Sequence, residues 1–385
     1  MNRGVLVLAL CAAVAGCGSS ATSNGSGNGG GNTLSSVTGI AAGFESSCAV
    51  VTGGVKCWGD NTVGELGIDP ATSSTSVPVQ VQGLASGVQA IAGGRAHSCA
   101  LVNGGVQCWG ENDSGQLGID PATPTTSVPV DVEGVTSGVT AIAAGDRHSC
   151  AVVNGGVRCW GGNYFGQLGN SITSSNVPVD VEGLTSGVSA IAAGNYFSCA
   201  VVNGGAKCWG ANDSGQLGID PATPSTSVPV QVQGLTSGVT AITAGVRHSC
   251  AVVDGGVKCW GRNDSGLLGI DPATAYTSVP VQVQGLTGGV TAVSTGAWHT
   301  CAVLSGGAMC WGDNSSGQLG IGLTTNYSSV PVQVQGLTSD VTAIAAGGYH
   351  TCAVVKGGVQ CWGRNELGQL GNNSTKNSLV PVQVQ

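Results

Sequence analysis

Fourteen of the 16 cysteines form seven pairs with eight residues between partners, from Cys48 and Cys57 to Cys352 and Cys361. Two thiols at that spacing can oxidise to a disulfide or offer two thiolates to a metal. All five histidines, His97, His148, His248, His299 and His350, stand two residues before the first cysteine of a pair, with Ser or Thr between; Ser46 and Phe197 fill that slot in the other two repeats. A histidine beside a hydroxyl is raw material for nucleophile–base catalysis. Adjacent strand residues point to opposite faces, however, so the two cannot pair within one strand. One histidine per repeat is also too sparse to share a metal ion, and the slot reads as structural, the imidazole bonding the backbone beside the sheet. The Ile-Asp-Pro-Ala-Thr loops at Asp69, Asp120, Asp220 and Asp271 could suggest calcium. One carboxylate per loop supplies too few oxygen ligands, and Asp-Pro is a turn former. No catalytic cluster, metal site or cofactor is expected, and the chain reads as a non-enzyme.

The elements that carry these residues follow from the repeat. The segment C-A-V-V-x-G-G-V-x-C-W-G recurs with its first Cys at 48, 99, 150, 199, 250, 301 and 352, a period of 51 residues with one unit of 49. Each unit holds four strand-like pieces, typified by Val128 to Glu133 (a), Val139 to Ala144 (b), His148 to Val153 (c) and Gly156 to Trp160 (d). Four short antiparallel strands per unit make a propeller blade. The fold class is all-β, a seven-bladed β-propeller. The chain begins at strand b (Val37 to Ala42) and ends with a lone strand a (Val380 to Gln385), so the last strand is expected to join the first blade and close the ring. Small b strands suit the inner half of a blade. The long side chains at Lys56, Gln107, Arg158, Lys207, Lys258, Met309 and Gln360 place strand d at the outer edge. Pro78 and its equivalents place strand a at the opposite edge.

Asn103-Gly104, Asn154-Gly155, Asn203-Gly204 and Asp254-Gly255 between strands c and d favour two-residue type I′ turns. Counting outward, Val51 faces Gly54, Val50 faces Val55, Ala49 faces Lys56, and Cys48 faces Cys57 at a non-hydrogen-bonded position, where α-carbons lie closest. The pairs Cys48–Cys57, Cys99–Cys108, Cys150–Cys159, Cys199–Cys208, Cys250–Cys259, Cys301–Cys310 and Cys352–Cys361 therefore read as disulfides stapling the outer hairpin of each blade. A metal would find only two ligands on such a hairpin.

Residues 1–16 read as a signal peptide, with Arg3, an apolar run from Val5 to Ala15 that includes Cys11, and small residues before Cys17. Val14-Ala15-Gly16-Cys17 resembles a bacterial lipobox. The resemblance implies diacylation of Cys17 and, with Gly18 rather than Asp following, the outer membrane of a Gram-negative cell. An ordinary signal peptide cut near Ala15 is the alternative. Residues 17–35, rich in Gly, Ser and Asn, read as a flexible tether, leaving 36–385 as the propeller.

The consensus I-A-A-G-x-x-H-S-C-A-V-V-x-G-G-V-x-C-W-G-x-N-x-x-G-Q-L-G, with a downstream Pro-Val, resembles the regulator-of-chromosome-condensation repeat over residues 36 to 385. The resemblance implies a seven-bladed propeller. It does not fix a function, because the family spans exchange factors for small GTPases, protein inhibitors of β-lactamases, photoreceptors and bacterial surface proteins. The cysteine pairs and shortened hairpin depart from the eukaryotic pattern.

Function must then be sought where the repeat varies. After each A-A-G the next two residues are Phe44-Glu45, Arg95-Ala96, Asp146-Arg147, Asn195-Tyr196, Val246-Arg247, Ala297-Trp298 and Gly348-Tyr349. Arg and aromatic side chains supply interface hot spots. Strand alternation puts this b–c loop on the same face as the long d–a loop, whose own variable residue is Asp60, Glu111, Gly162, Ala211, Arg262, Asp313 or Arg364. Phe44, Arg95, Arg147, Tyr196, Arg247, Trp298 and Tyr349 are thus candidates for binding a protein partner. Carbohydrate stacking on Tyr196, Trp298 and Tyr349 is a second reading, a hydrolase site in the central channel a third, and drift at loop tips the bland one. A net charge of −8 with no basic stripe argues against nucleic acid. No feature sets an oligomeric state.

Overall fold

The computed structural model describes residues 33–119, 123–270 and 274–385. The signal segment, Cys17 and most of the tether lie outside these residues. Seven four-stranded antiparallel sheets form the blades of a β-propeller. The first runs Val37–Ala42, Ser46–Val51, Gly54–Asp60, Ser74–Gln80, and the last Val341–Ala346, His350–Val355, Gly358–Gly363, Ser378–Gln383. Every sheet has the order b-c-d-a, with b against the channel and a outermost.

That order corrects two expectations. The C-terminal strand pairs with Gly358–Gly363 of its own seventh blade and does not join the first, so no hydrogen-bonded sheet spans the two ends. Strand d is third from the channel, not the outer edge. Its long side chains reach over strand a: Arg158 Nε donates to Asp180 at 2.9 Å and Gln107 Nε2 to Asp131 at 2.8 Å. The proline strand is an edge strand as expected, but the outer one. Side-chain length could not separate a third strand from a fourth when the fourth is itself largely open to solvent.

The ring closes through the same inter-blade contacts that join every other pair of blades. Seven apolar clusters each straddle one interface, and each centres on a fully buried Trp from the Trp-Gly pair. The indole N–H of each donates at 2.9 Å to a backbone carbonyl of the preceding blade, as Trp260 does to Gln216. At the seam Trp58 donates to Gln369 at 2.9 Å, Val37 N to Gly357 O at 3.0 Å, and Leu34, Ile40 and Trp58 pack with Val359, Leu370 and Val384. Leu34, expected in the tether, is a core residue. The glycine after each Trp turns the strand at φ 103 to 109°, and a Cβ on Gly59 would sit 2.5 Å from the Glu45 carbonyl oxygen.

The c–d register is the one counted from the turn, with Asn103 and Gly104 at φ 51° and 83° and Cys48 opposite Cys57. The seven cysteine pairs are bridged, with α-carbons 4.0 to 4.1 Å apart. They link the two middle strands of each sheet, because strand a covers what would have been an outer hairpin.

Candidate partner-binding face

The two variable residues after each A-A-G occupy different zones. The first of each pair, together with Trp298, lines the mouth of the central channel, a cavity of about 290 Å³. Phe44 and Arg95 of the expected set therefore belong to the mouth, whereas Arg147, Tyr196, Arg247 and Tyr349 belong to the surrounding face.

Three groups form on that face. Arg95 reaches Asp146 at 3.4 Å, and the Tyr196 hydroxyl lies beside this pair. Burial pushes the Tyr196 hydroxyl and the nearby Glu111 carboxyl upward, and the Arg147 and Arg95 charges oppose the shift. Tyr349 meets the edge of Phe44 at 6.0 Å between centroids and the Arg364 guanidinium at 5.8 Å, and Arg364 pairs with Glu45 and Glu366. Trp298 lies under Arg262 at 5.7 Å, and Arg247 pairs with Asp213 at 3.2 Å. Among the described residues Arg147 forms no ion pair within 4 Å.

The structure adds residues to this face. In the third blade Tyr164 and Phe165 replace the Asp-Ser of neighbouring loops; they are 63% and 45% exposed, and Phe165 packs on Tyr196 at 5.2 Å. The broken N-D-S-G pattern was the signal. A second break is Glu65, which replaces the Gln of G-Q-L-G. That Gln accepts from the backbone two residues earlier and, where an acid follows Trp-Gly, donates to it: Gln318 bonds Ser316 N at 2.9 Å and Asp313 at 3.0 Å. Where Gly162 stands instead, Gln167 Nε2 has no partner. Glu65 accepts from Val63 N at 3.0 Å and can reproduce the second bond, to Asp60, only if protonated. Burial, then the Asp60 charge, pushes its carboxyl up to about 8. The folded state holds this proton where the unfolded chain has lost it, so stability falls as pH rises from 4.5 toward 8. Glu65→Gln should stabilise the protein at pH 8 by an amount of the order of 2–3 kcal/mol, about 5 °C in Tm, and by roughly half as much at pH 6, where the propeller is still folded. Equal gains at both pH values in a melting series would refute the assignment.

The histidines do pair with hydroxyls, though not within a strand and not with the backbone. Each Nε2 meets the Ser or Thr of the next blade: His97–Ser149 2.9 Å, His148–Ser198 2.8 Å, His248–Thr300 2.9 Å, His299–Thr351 2.8 Å and His350–Ser47 2.8 Å. The hydroxyl is committed as donor to a loop carbonyl, Ser149 to Gln116 at 2.8 Å, so the histidine must donate from Nε2. Its Nδ1 is a buried acceptor with no partner. These Ser–His pairs are sealed from solvent and serve as inter-blade latches. Asp69 and Asp220 cap tight turns, each accepting from the backbone two residues on at 2.9 Å; Asp120 and Asp271 lie outside the described residues. Among the described residues no three His, Cys, Asp or Glu converge as metal ligands.

A family model for the RCC1-like domain matches residues 103–385, and models for the regulator of chromosome condensation (RCC1) repeat match 52–101, 37–65 and 88–116. The chain belongs to the RCC1 repeat family. Among curated relatives, the human E3 ubiquitin-protein ligase HERC2 is 33% identical over 333 residues, 82% of this chain but 7% of that protein. The ultraviolet-B receptor UVR8 of Arabidopsis thaliana is 38% identical over 151 residues, 37% of this chain and 34% of the receptor. The chain thus spans about a third or less of these relatives. Two solved structures share the fold: Prp20p of Saccharomyces cerevisiae, TM-score 0.76, 22% identity, 86% of each chain, and human WBSCR16, TM-score 0.76, 23% identity, 86% of this chain and 94% of that one.

Proposed function

We propose that this RCC1-repeat propeller is a non-enzymatic module that binds a protein partner through the face carrying Phe44, Arg95, Arg147, Tyr196, Arg247, Trp298 and Tyr349. The observation that carries the reading is the concentration of Arg and aromatic variation, joined by Tyr164 and Phe165, on one face of an otherwise uniform ring. Related propellers are consistent with it: yeast Prp20p has been studied for binding to Gsp1p and histones and has been crystallised with Kap60. Carbohydrate stacking is less well supported, since the Trp298 and Tyr349 rings are already engaged by Arg262, Phe44 and Arg364.

Seven disulfides suit an oxidising compartment, in keeping with an exported chain whose Cys17 is lipidated at the outer membrane. The chain enters the ring at Val37, beside the c–d turn at Gly357 and opposite the varied face. A tether from Cys17 would therefore leave that face pointing away from the membrane. Affinity capture from the cell envelope with the intact propeller and with Arg95→Ala/Arg147→Ala/Arg247→Ala tests the reading. The captured partner, titrated directly, should bind the triple variant at least about 100-fold more weakly. Retention within threefold, with melting unchanged, would sink the assignment.

A further inference from the structure

The channel mouth has two chemically different halves. Arg95, Asp146 and Asn195 follow one another on one side; Val246, Ala297 and Trp298 continue round the other, with Phe44 beyond. Arg95 and Asp146 pair with each other and cancel in charge, so the mouth calls for no net charge. Two polar atoms are left over. Asn195 Oδ1, an acceptor, and Trp298 Nε1, a donor, are buried and have no hydrogen-bond partner. The chain has eight tryptophans, and the other seven indoles all bond a carbonyl at 2.9 Å. Among the described residues Trp298 is thus the one indole without one, and it lines the cavity at the channel mouth. Leaving such groups unpaired is costly, and a ligand supplying the partners would relieve that cost.

We propose that the mouth is an anchor pocket for a single neutral, apolar residue of a peptide chain. The side chain would lie against Val246, Ala297 and Phe44. Its peptide carbonyl would accept from Trp298 Nε1 and its amide N–H would donate to Asn195 Oδ1, after small rotations of those two side chains. A volume of about 290 Å³ lies at the lower limit for small-molecule sites and suits one residue. A sugar could also pair with the two orphan groups, but its hydroxyls would face the apolar half. The inference rests on the protein-binding reading and supplies its central anchor.

The test uses the oxidised full chain labelled with ¹⁵N and, at the valine methyl groups, with ¹³C, titrated with N-acetyl-leucinamide, N-acetyl-phenylalaninamide and methyl β-glucoside. The Trp298 indole signal is the one missing from Trp298→Phe. Both amides should shift it saturably while the other seven indole signals stay in place. Trp298→Phe, followed through the Val246 methyl groups, should weaken amide binding roughly fivefold, and Val246→Arg should abolish it without altering the melting temperature. Absence of a saturable shift, an equal response to the glucoside, or amide binding that survives Val246→Arg would overturn the pocket. A partner lost on the triple-Arg variant but indifferent to Val246→Arg would leave the binding face standing and the pocket refuted. Amide binding with a partner indifferent to the arginines would do the reverse.

Discussion

Acidification from pH 7 to 4.5 should unfold the propeller cooperatively, with a midpoint at about pH 5. Burial pushes His97, His248 and His350 down to about 4 and His148 and His299 to about 3; neighbouring histidines add to the effect on the last two, while Asp264 partly offsets it for His248. Each imidazole already donates from Nε2, so protonation would put a second proton on the buried, unpartnered Nδ1. Between about pH 6.5 and pH 4 the unfolded chain therefore binds protons that the folded chain refuses. The stability is intact above 6.5 and is lost as pH falls toward the folded values. Each histidine contributes a slope of about 1.4 kcal/mol per pH unit, and five give about 7, enough to exhaust a typical folding free energy in under two units. Glu65 has the opposite sign and removes part of the slope. Thermal melts monitored by circular dichroism at pH 7, 6 and 5 would check this. His97→Phe should fold, because Phe197 fills the slot in the fourth blade, and should cut the slope by about a fifth. A Tm that stays flat from pH 7 to 5 would remove the histidines from the account.

Reduction should be nearly as destructive. Each bridge closes a short loop across the two middle strands, worth about 2.5 kcal/mol by loop entropy, and each cystine is also part of an inter-blade core. Even at half additivity seven bridges amount to about 9 kcal/mol, comparable with the whole stability of a domain. The reduced and alkylated chain should show no cooperative melt at neutral pH, or a Tm lower by more than about 20 °C. Because the sulfurs are at most 2% exposed, reductant should act only as fast as the fold opens. A reduced protein melting within a few degrees of the oxidised one would mean that packing alone holds the ring.

Much of this architecture was readable beforehand, for identifiable reasons. The Asn-Gly turns fix the c–d register locally, so the cysteine pairing needs only counting. The order of strands across a blade is not local. Nothing in Val380 to Gln385 says whether it pairs with the blade before it or the blade after, since the repeat looks the same in both frames. The histidine partners escaped for a related reason: Ser149 lies 52 residues from His97 and on another sheet. On the candidate face the residue types were legible, but their division between mouth and face depends on ring geometry. Glu65 and Tyr164-Phe165 were visible as breaks in the repeat, and became informative only once the Gln hydrogen bonds and loop exposure gave those breaks a meaning.

The contiguity of each blade has a consequence for how such a chain can change over generations. The unit that recombination would copy, about 51 residues, coincides with a complete hydrogen-bonded sheet. In-register crossing-over between repeats would add or remove one whole blade, each a sheet made from four consecutive strands. The near-identity of the repeats would make such exchange frequent, and blade number would be disciplined only by the angle at which successive tryptophan-centred interfaces bring the last blade back to the first.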